Sequence, residues 1–277
     1  MKKVITAYSL AQCMDAMAEY AQAFEKLGQK TIVFCEDRLT LIAEQAILKK
    51  MGGTFDTSVS TFARFLKADG KTISKQGSVM AVGKVMADLQ SRGALQCFKT
   101  IACVGSNAKC IYETLAQMSA SQITPEVLKS SLELLPEDTL KRKVSDLALI
   151  YEGYASYLDE SGLLDESKYL ALLPAYIRSS GCLKGYNVIF LGYTAFTAQA
   201  RKTVEAALET ADNVLGIFCA DDTDAYAARG AIAFERVCAA IEKGIDESEQ
   251  PAKNIRGLLA SADNIGKPLP LLAERLR

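Results

Sequence analysis

The feature that most constrains the fold is a strict alternation of short β-rich runs and amphipathic helical stretches over the first 66 residues. Residues 4–7 (VITA) read as a strand, after which Met14, Met17, Ala18, Ala21, Phe24 and Leu27 recur at helical spacing. Gly28 suits a helix C-cap. TIVFC (31–35) is apolar, β-rich and short, as a buried parallel strand requires. Leu39, Ile42, Ala43, Ala46 and Ile47 form a second amphipathic stripe that stops at Gly52-Gly53. FDTSVS (55–60) alternates like a strand, and Phe62, Phe65 and Leu66 begin another helix. An order of β-α-β-α-β-α argues for a parallel sheet with helical crossovers.

The first strand-to-helix corner then narrows the function. In a nucleotide-binding α/β domain this corner holds a glycine loop whose N–H groups cradle phosphate. A Lys reaches the outer phosphates and a Ser/Thr holds Mg²⁺. Here no glycine and no lysine occurs between Val4 and Glu25. Tyr8 fills the space a phosphate needs, and the Ser9 hydroxyl has no preceding Lys. A second nucleotide-holding place, a strand ending in acids that bind Mg²⁺, is missing too, because NVIFLG runs into Gly192-Tyr193. Either a phosphate-binding fold has lost its grip, or this is an α/β domain that never had one.

From 71 to 182 the pattern turns helical, and FKTIACV (98–104) is readable as strand or helix. Its longest helical stretch, EDTLKRKVSDLALIYEGYASYLDESG, places Leu140, Val144, Leu147, Ile150, Tyr151, Tyr154 and Leu158 on one stripe, which reads as core. The α/β pattern resumes with NVIFLG (187–192), a helix in TAQARKTVEAALE, a strand in NVLGIFCADD (213–222) and a helix in AYAARGAIAFERVCAAIEKG. The expected organisation is a discontinuous α/β domain (1–70 and 183–250), a helical insertion (71–182) and a linker (251–277) toward a further C-terminal region.

Composition removes several function classes. There is no histidine, and the eight cysteines form no CxxC pair, which argues against a zinc site or a His-based triad. Cysteines inside runs such as TIVFC and LGIFC read as reduced core residues of a cytoplasmic protein. No apolar run reaches the length of a membrane span. MKK followed by VITAYSLAQC imitates a short lipoprotein-type signal. Its apolar stretch is at the short limit, and Gln12 stands where a small residue is wanted, so the reading is a buried first strand. Net charge is −1, but residues 1–100 carry 14 Lys/Arg against 9 Asp/Glu while 101–277 carry 18 against 24. The basic bias of the first third is compatible with a DNA-facing edge or with ordinary solvated surface.

Three stretches, in order, resemble one family. They are CEDRLTLIAEQAILKKMGGTFDTSVSTFARFLK, ITPEVL followed by LKRKVSDLALIYEGYASYL, and VIFLGYTAFTAQARKTVEAAL. Together they are similar to the N-terminal, helicase-like part of the AddB/RexB subunit of bacterial helicase–nucleases, within the UvrD/Rep-type group. The resemblance implies a RecA-like parallel sheet with helices on both faces, interrupted by a helical subdomain. It further implies a non-catalytic module without its own ATPase, acting with an AddA-like motor and nuclease subunit on single-stranded DNA. No cofactor is expected in this segment. An iron–sulfur cluster and Mg²⁺ are implied only for a C-terminal nuclease region, and none of the eight cysteines matches the cluster.

In helicases of this type the loops after the second and third strands face DNA. The matching positions are Arg38, Thr40 and Gln45, then Ser60, Thr61 and Arg64. Tyr193, Phe196 and Thr197 sit at a third strand end, where an exposed ring could stack on a base for about 1–3 kcal/mol. The competing reading makes Phe62, Phe65 and Phe196 core, Thr61 an N-cap and Arg64 the partner of a local acid. Two alternatives to a DNA module remain: a metal-dependent hydrolase using Asp221 and Asp222, and a structural interaction domain docking through its helical insertion.

Overall fold

The computed structural model describes residues 2–65, 71–100, 105–220, 228–243 and 263–264. The chain divides into two compact units, Met1–Leu66 with Leu173–Arg277, and Lys67–Leu172.

The first unit is an α/β sheet in which every neighbouring pair of strands runs parallel. Its strands are β1 (Lys2–Ala7), β2 (Lys30–Cys35), β3 (Thr57–Ser60), β6 (Tyr186–Leu191), β7 (Asn213–Cys219) and the short β8 (Asp263–Asn264), in the order β3-β2-β6-β7-β1-β8. Helices α1 (Leu10–Lys26), α2 (Thr40–Met51), α3 (Phe62–Phe65), α9 (Ala198–Thr210) and α10 (Arg229–Lys243) belong to the same unit. This is the RecA-like α/β class expected. The strand assigned to FDTSVS begins only at Thr57, and Phe55 is fully exposed.

Strand periodicity explains the layers, because alternate residues point to opposite faces. Ile5, Ala7, Val33, Cys35, Ile189, Leu191, Leu215 and Ile217 share one core with Cys13, Met14, Met17 and Phe24 of α1 and Ala43 and Ile47 of α2. The intervening positions supply an aromatic layer: Phe34, Phe190 and Phe218 pack with Phe62 of α3 and Phe234 of α10, at ring separations of 5.2–5.8 Å. Burying each such ring contributes about 1.5–3 kcal/mol. Gly216 makes this layer possible, since a Cβ there would lie 2.7 Å from the Phe234 ring.

The second unit contains β4 (Lys71–Thr72), α4 (Lys75–Ser91), α5 (Gly105–Ala120), α6 (Pro125–Ser131), α7 (Thr139–Ser161) and β5 (Leu163–Leu164); helix α8 (Glu166–Ser180) follows β5. Strands β4 and β5 form a two-residue parallel pair. Val82, Met86, Leu115, Ile150, Tyr154 and Leu158 form its core. The stripe read on α7 joins the core from Leu147 onward, but Val144 is only half-buried and Leu140 is 52% exposed. Residues 98–100 of FKTIACV form a turn, and 101–104 lie outside the described residues. The same is true of Asp221, Asp222 and, apart from β8, the segment 251–277.

Candidate nucleic-acid interface

The carboxyl ends of β1, β2, β3 and β6 offer two different corners. At the first, only Tyr8 and Ser9 separate β1 from α1, whereas a phosphate loop spans eight motif positions. The two residues form a closed capping box. The N–H groups of Tyr8 and Ser9 donate to Gln12 Oε1 at 3.1 and 3.2 Å, and the Gln12 N–H donates to Ser9 Oγ at 3.3 Å. Three amides near the helix start are therefore spent on neighbouring side chains. At the end of β6, Gly192 adopts φ 70° and its N–H donates to Ile217 O at 2.9 Å. A Cβ at Gly192 would meet Leu39 Cδ1 at 2.9 Å, and the positive φ strains any residue that carries a side chain, so a carboxylate is disfavoured there.

The second corner joins β3, β2 and β6, which are neighbours in the sheet. Helices α2 and α9 leave β2 and β6 toward cores on opposite faces, which makes this the point where an open α/β sheet holds its ligands. After β2, the short turn Asp37–Leu39 is closed by the Thr40 hydroxyl, which donates to Asp37 O at 2.9 Å. Arg38 is 67% exposed and pairs with Glu36 at 2.6 Å. After β3, Thr61 Oγ1 accepts from the Arg64 N–H at 3.2 Å, capping α3, and the Ser60 hydroxyl donates to Thr61 O. The Arg64 guanidinium, 62% exposed, crosses to Asp37 at 2.6 Å and ties the two loops together. Thr61 as N-cap and Arg64 as partner of an acid are thus both realised.

Aromatic packing brings the third loop to the same place. The Tyr193 ring stacks on Phe62 at 5.6 Å and 13°, and packs against Phe196 at 5.0 Å. Gly230 of α10 lets the loop lie close, since a Cβ there would sit 2.0 Å from Tyr193 O. Tyr193 is only 9% exposed, so it is not the exposed stacking ring expected; it is the floor of the corner. Burial is also the main reason its pKa is raised, with Cys35 and Glu36 adding to it. Phe196 is half-buried, and exposed Thr197 accepts from the Ala200 N–H at 3.2 Å as the N-cap of α9. Buried Thr40 and Thr61 likewise serve the loop backbone instead of facing solvent. Of the nine candidates, Arg38 and Arg64 carry accessible charge at this corner. Acids outweigh them at the end of β2: burial pushes the Cys35 thiol up to about 12, Glu44, Asp37 and Glu36 add to it, and Arg64 alone opposes them.

Gln45 stands apart. It lies on α2 in a groove of about 380 Å³ between α1 and α2, with Met14, Asp15, Ile42, Lys49 and Lys50.

Comparison with known proteins places the chain. The profile described as ADDB, N-terminal, matches residues 10–245. The chain belongs to the ADDB N-terminal family. It is 25% identical over 219 residues to an ATP-dependent helicase/deoxyribonuclease subunit of Clostridium novyi (strain NT), covering 76% of this chain and 19% of that protein. The protein of the same description from Symbiobacterium thermophilum is 27% identical over 234 residues, covering 79% and 20%. That from Alkaliphilus oremlandii is 28% identical over 196 residues, covering 67% and 17%. The chain spans about a fifth of the length of these relatives.

The helical unit also holds two buried acids, Asp146 and Asp165, that the reading of α7 as an apolar stripe does not include. Asp146, fully buried, accepts from the N–H groups of Gln96, Cys97 and Phe98 at 2.7–3.1 Å and so fixes the turn after α4. The Tyr154 hydroxyl donates to buried Asp165 at 2.8 Å, beside a cavity of about 230 Å³ also lined by Tyr112, Tyr151, Ser119 and Lys168. A carboxylate inside an apolar helical stripe was the available signal, since a buried acid must find several donors.

Proposed function

We propose that this chain is a non-catalytic, helicase-like module of an AddAB-type DNA-repair helicase–nuclease, which guides single-stranded DNA over the β3-β2-β6 corner and has no ATPase of its own. The observation that carries the reading is the contrast at one sheet edge. The corner where nucleotide phosphate would sit is closed by the Ser9–Gln12 box, while the neighbouring corner exposes Arg38 and Arg64 above an aromatic floor. Relatives named as subunits of an ATP-dependent helicase/deoxyribonuclease supply the context. An AddA-like subunit supplies the motor. The iron–sulfur cluster and Mg²⁺ stay with the nuclease region of the longer protein. Among the described residues no group of three or more Cys, Asp or Glu side chains is arranged to hold a metal ion.

Two arginines already paired with their own acids make a weak, salt-sensitive contact. Neutralising two phosphates of a single strand gives a slope of log affinity against log salt of about −1.4. The test is oligonucleotide anisotropy on the assembled complex carrying Arg38→Glu with Arg64→Glu. Affinity should fall by an order of magnitude and the salt slope should flatten by that amount. Unchanged affinity and slope would remove this corner from the DNA path.

A further inference from the structure

We propose that Cys13 and Cys219 form a peroxide-sensitive dithiol, a modification site that closes to a disulfide across the β1–α1 corner. The two residues are 206 positions apart in sequence, yet their Sγ atoms lie 3.6 Å from each other. Parallel pairing explains how they meet. Ala7, the last residue of β1, is in register with Cys219, the last of β7, and α1 turns back from β1 over that same edge. Cys13 stands in the first turn of α1 and is fully buried, whereas Cys219 is half-buried and reachable. Both are free thiols. A disulfide needs the sulfurs at about 2.05 Å, so they must approach by roughly 1.5 Å.

The pair is also chemically asymmetric. The two sulfurs share a hydrogen bond in which either can donate, and it lowers the Cys219 thiol against the burial that raises it. The same bond, with burial, raises the Cys13 thiol. Cys219, half-buried where Cys13 is fully buried, is the thiol a peroxide reaches first, and its lowered pKa favours the reactive thiolate. Its sulfur attacks one oxygen of a hydroperoxide, the O–O bond breaks, and the departing oxygen leaves as water or an alcohol after taking a proton. Cys219 is then a sulfenic acid. The Cys13 sulfur attacks the Cys219 sulfur, the S–O bond breaks, and hydroxide leaves as water with the Cys13 proton. Two thiols and one hydroperoxide become one disulfide, one water and one alcohol (or a second water). The peroxide accepts the two electrons that the sulfurs lose. The product joins the first turn of α1 covalently to the end of β7, and a dithiol reductant reverses it.

The experiment is peptide mapping of the full chain after graded hydrogen peroxide, thiol blocking and digestion without reduction. The expected result is a peptide joining Cys13 to Cys219, accumulating before the exposed thiol of Cys110 is lost. Cys13→Ser should leave Cys219 as a sulfenic acid captured by dimedone, and Cys219→Ser should leave Cys13 unmodified. Should either variant fail to fold, the unmodified chain decides alone. Cys219 still alkylatable after Cys110 is oxidised, or Cys219 oxidised without linkage to Cys13, overturns the proposal.

Discussion

Two corners of the same sheet edge, a few strands apart, are built on opposite plans. At β1–α1 a two-residue link turns three amides onto neighbouring side chains and leads straight into a buried first turn. At β3-β2-β6 the links after β2 and β6 run to four and six residues, though that after β3 is Thr61 alone, and Asp37, Arg38 and Arg64 stand in solvent over packed rings with Glu36 half-buried beside them. Link length decides what each corner can offer a polyanion. A glycine loop presents backbone amides in a fixed ring, which suits one compact phosphate group. A short capped link presents none of that, whereas arginines on a rigid aromatic floor can follow a strand's backbone at several points.

The comparison breaks most visibly at the floor. Tyr193→Ala removes a ring that touches both Phe62 and Phe196, so stability should fall by about 3 kcal/mol or more through the cavity left behind. Denaturant unfolding checks it. A loss below about 0.5 kcal/mol, the range of an ordinary surface substitution, would mean that the three loops are held together by something other than this stack.

The closed corner should give way more gently. Ser9→Ala deletes the acceptor for the Gln12 N–H while the Tyr8 and Ser9 backbone N–H groups still donate to Gln12 Oε1, which costs about 1 kcal/mol. Because the link stays two residues long, Ser9→Ala should not create nucleotide affinity, as equilibrium dialysis with ATP would read. Tight ATP binding by that variant would show that the capping box, not link length, keeps phosphate out.

Much of this contrast was legible before any coordinates. Strand runs and helical stripes placed β1, α1, β2, α2 and α9 within a few residues, because buried parallel strands and amphipathic helices carry strong periodic signals. The missing glycine and lysine after Val4 announced the closed corner. What sequence could not resolve was which face each residue at a strand end takes, since those positions lie between periodic elements. Thr40 and Thr61 look like phosphate ligands by residue type, yet both hydroxyls are consumed locally. Tyr193 looks like a stacking platform until Gly230 is seen to let α10 pack close over its backbone. Gln45 is close in sequence to Arg38, but helical phase carries it into the α1–α2 groove. Asp146 was hidden for the converse reason: its partners are amides about fifty residues away, which no local pattern reports.

The finest test of the two-corner contrast concerns the acid between the two arginines. Asp37 holds Arg64 at 2.6 Å, and both side chains are well exposed, at 74% and 62%. An exposed pair of this kind contributes about 0.2–1 kcal/mol, so Asp37→Asn should barely change unfolding. Its effect on DNA should run the other way. Arg64 no longer shares its charge, and a phosphate need not displace a carboxylate. Single-strand affinity of the complex should then rise a few-fold, with the salt slope still that of two neutralised phosphates, about −1.4. Combined with Arg64→Glu, the gain should vanish, because the substitution acts only by freeing that guanidinium. A gain that persists in the double variant would instead point to general relief of negative field at the edge, with Arg64 a structural tie between the β2 and β3 loops.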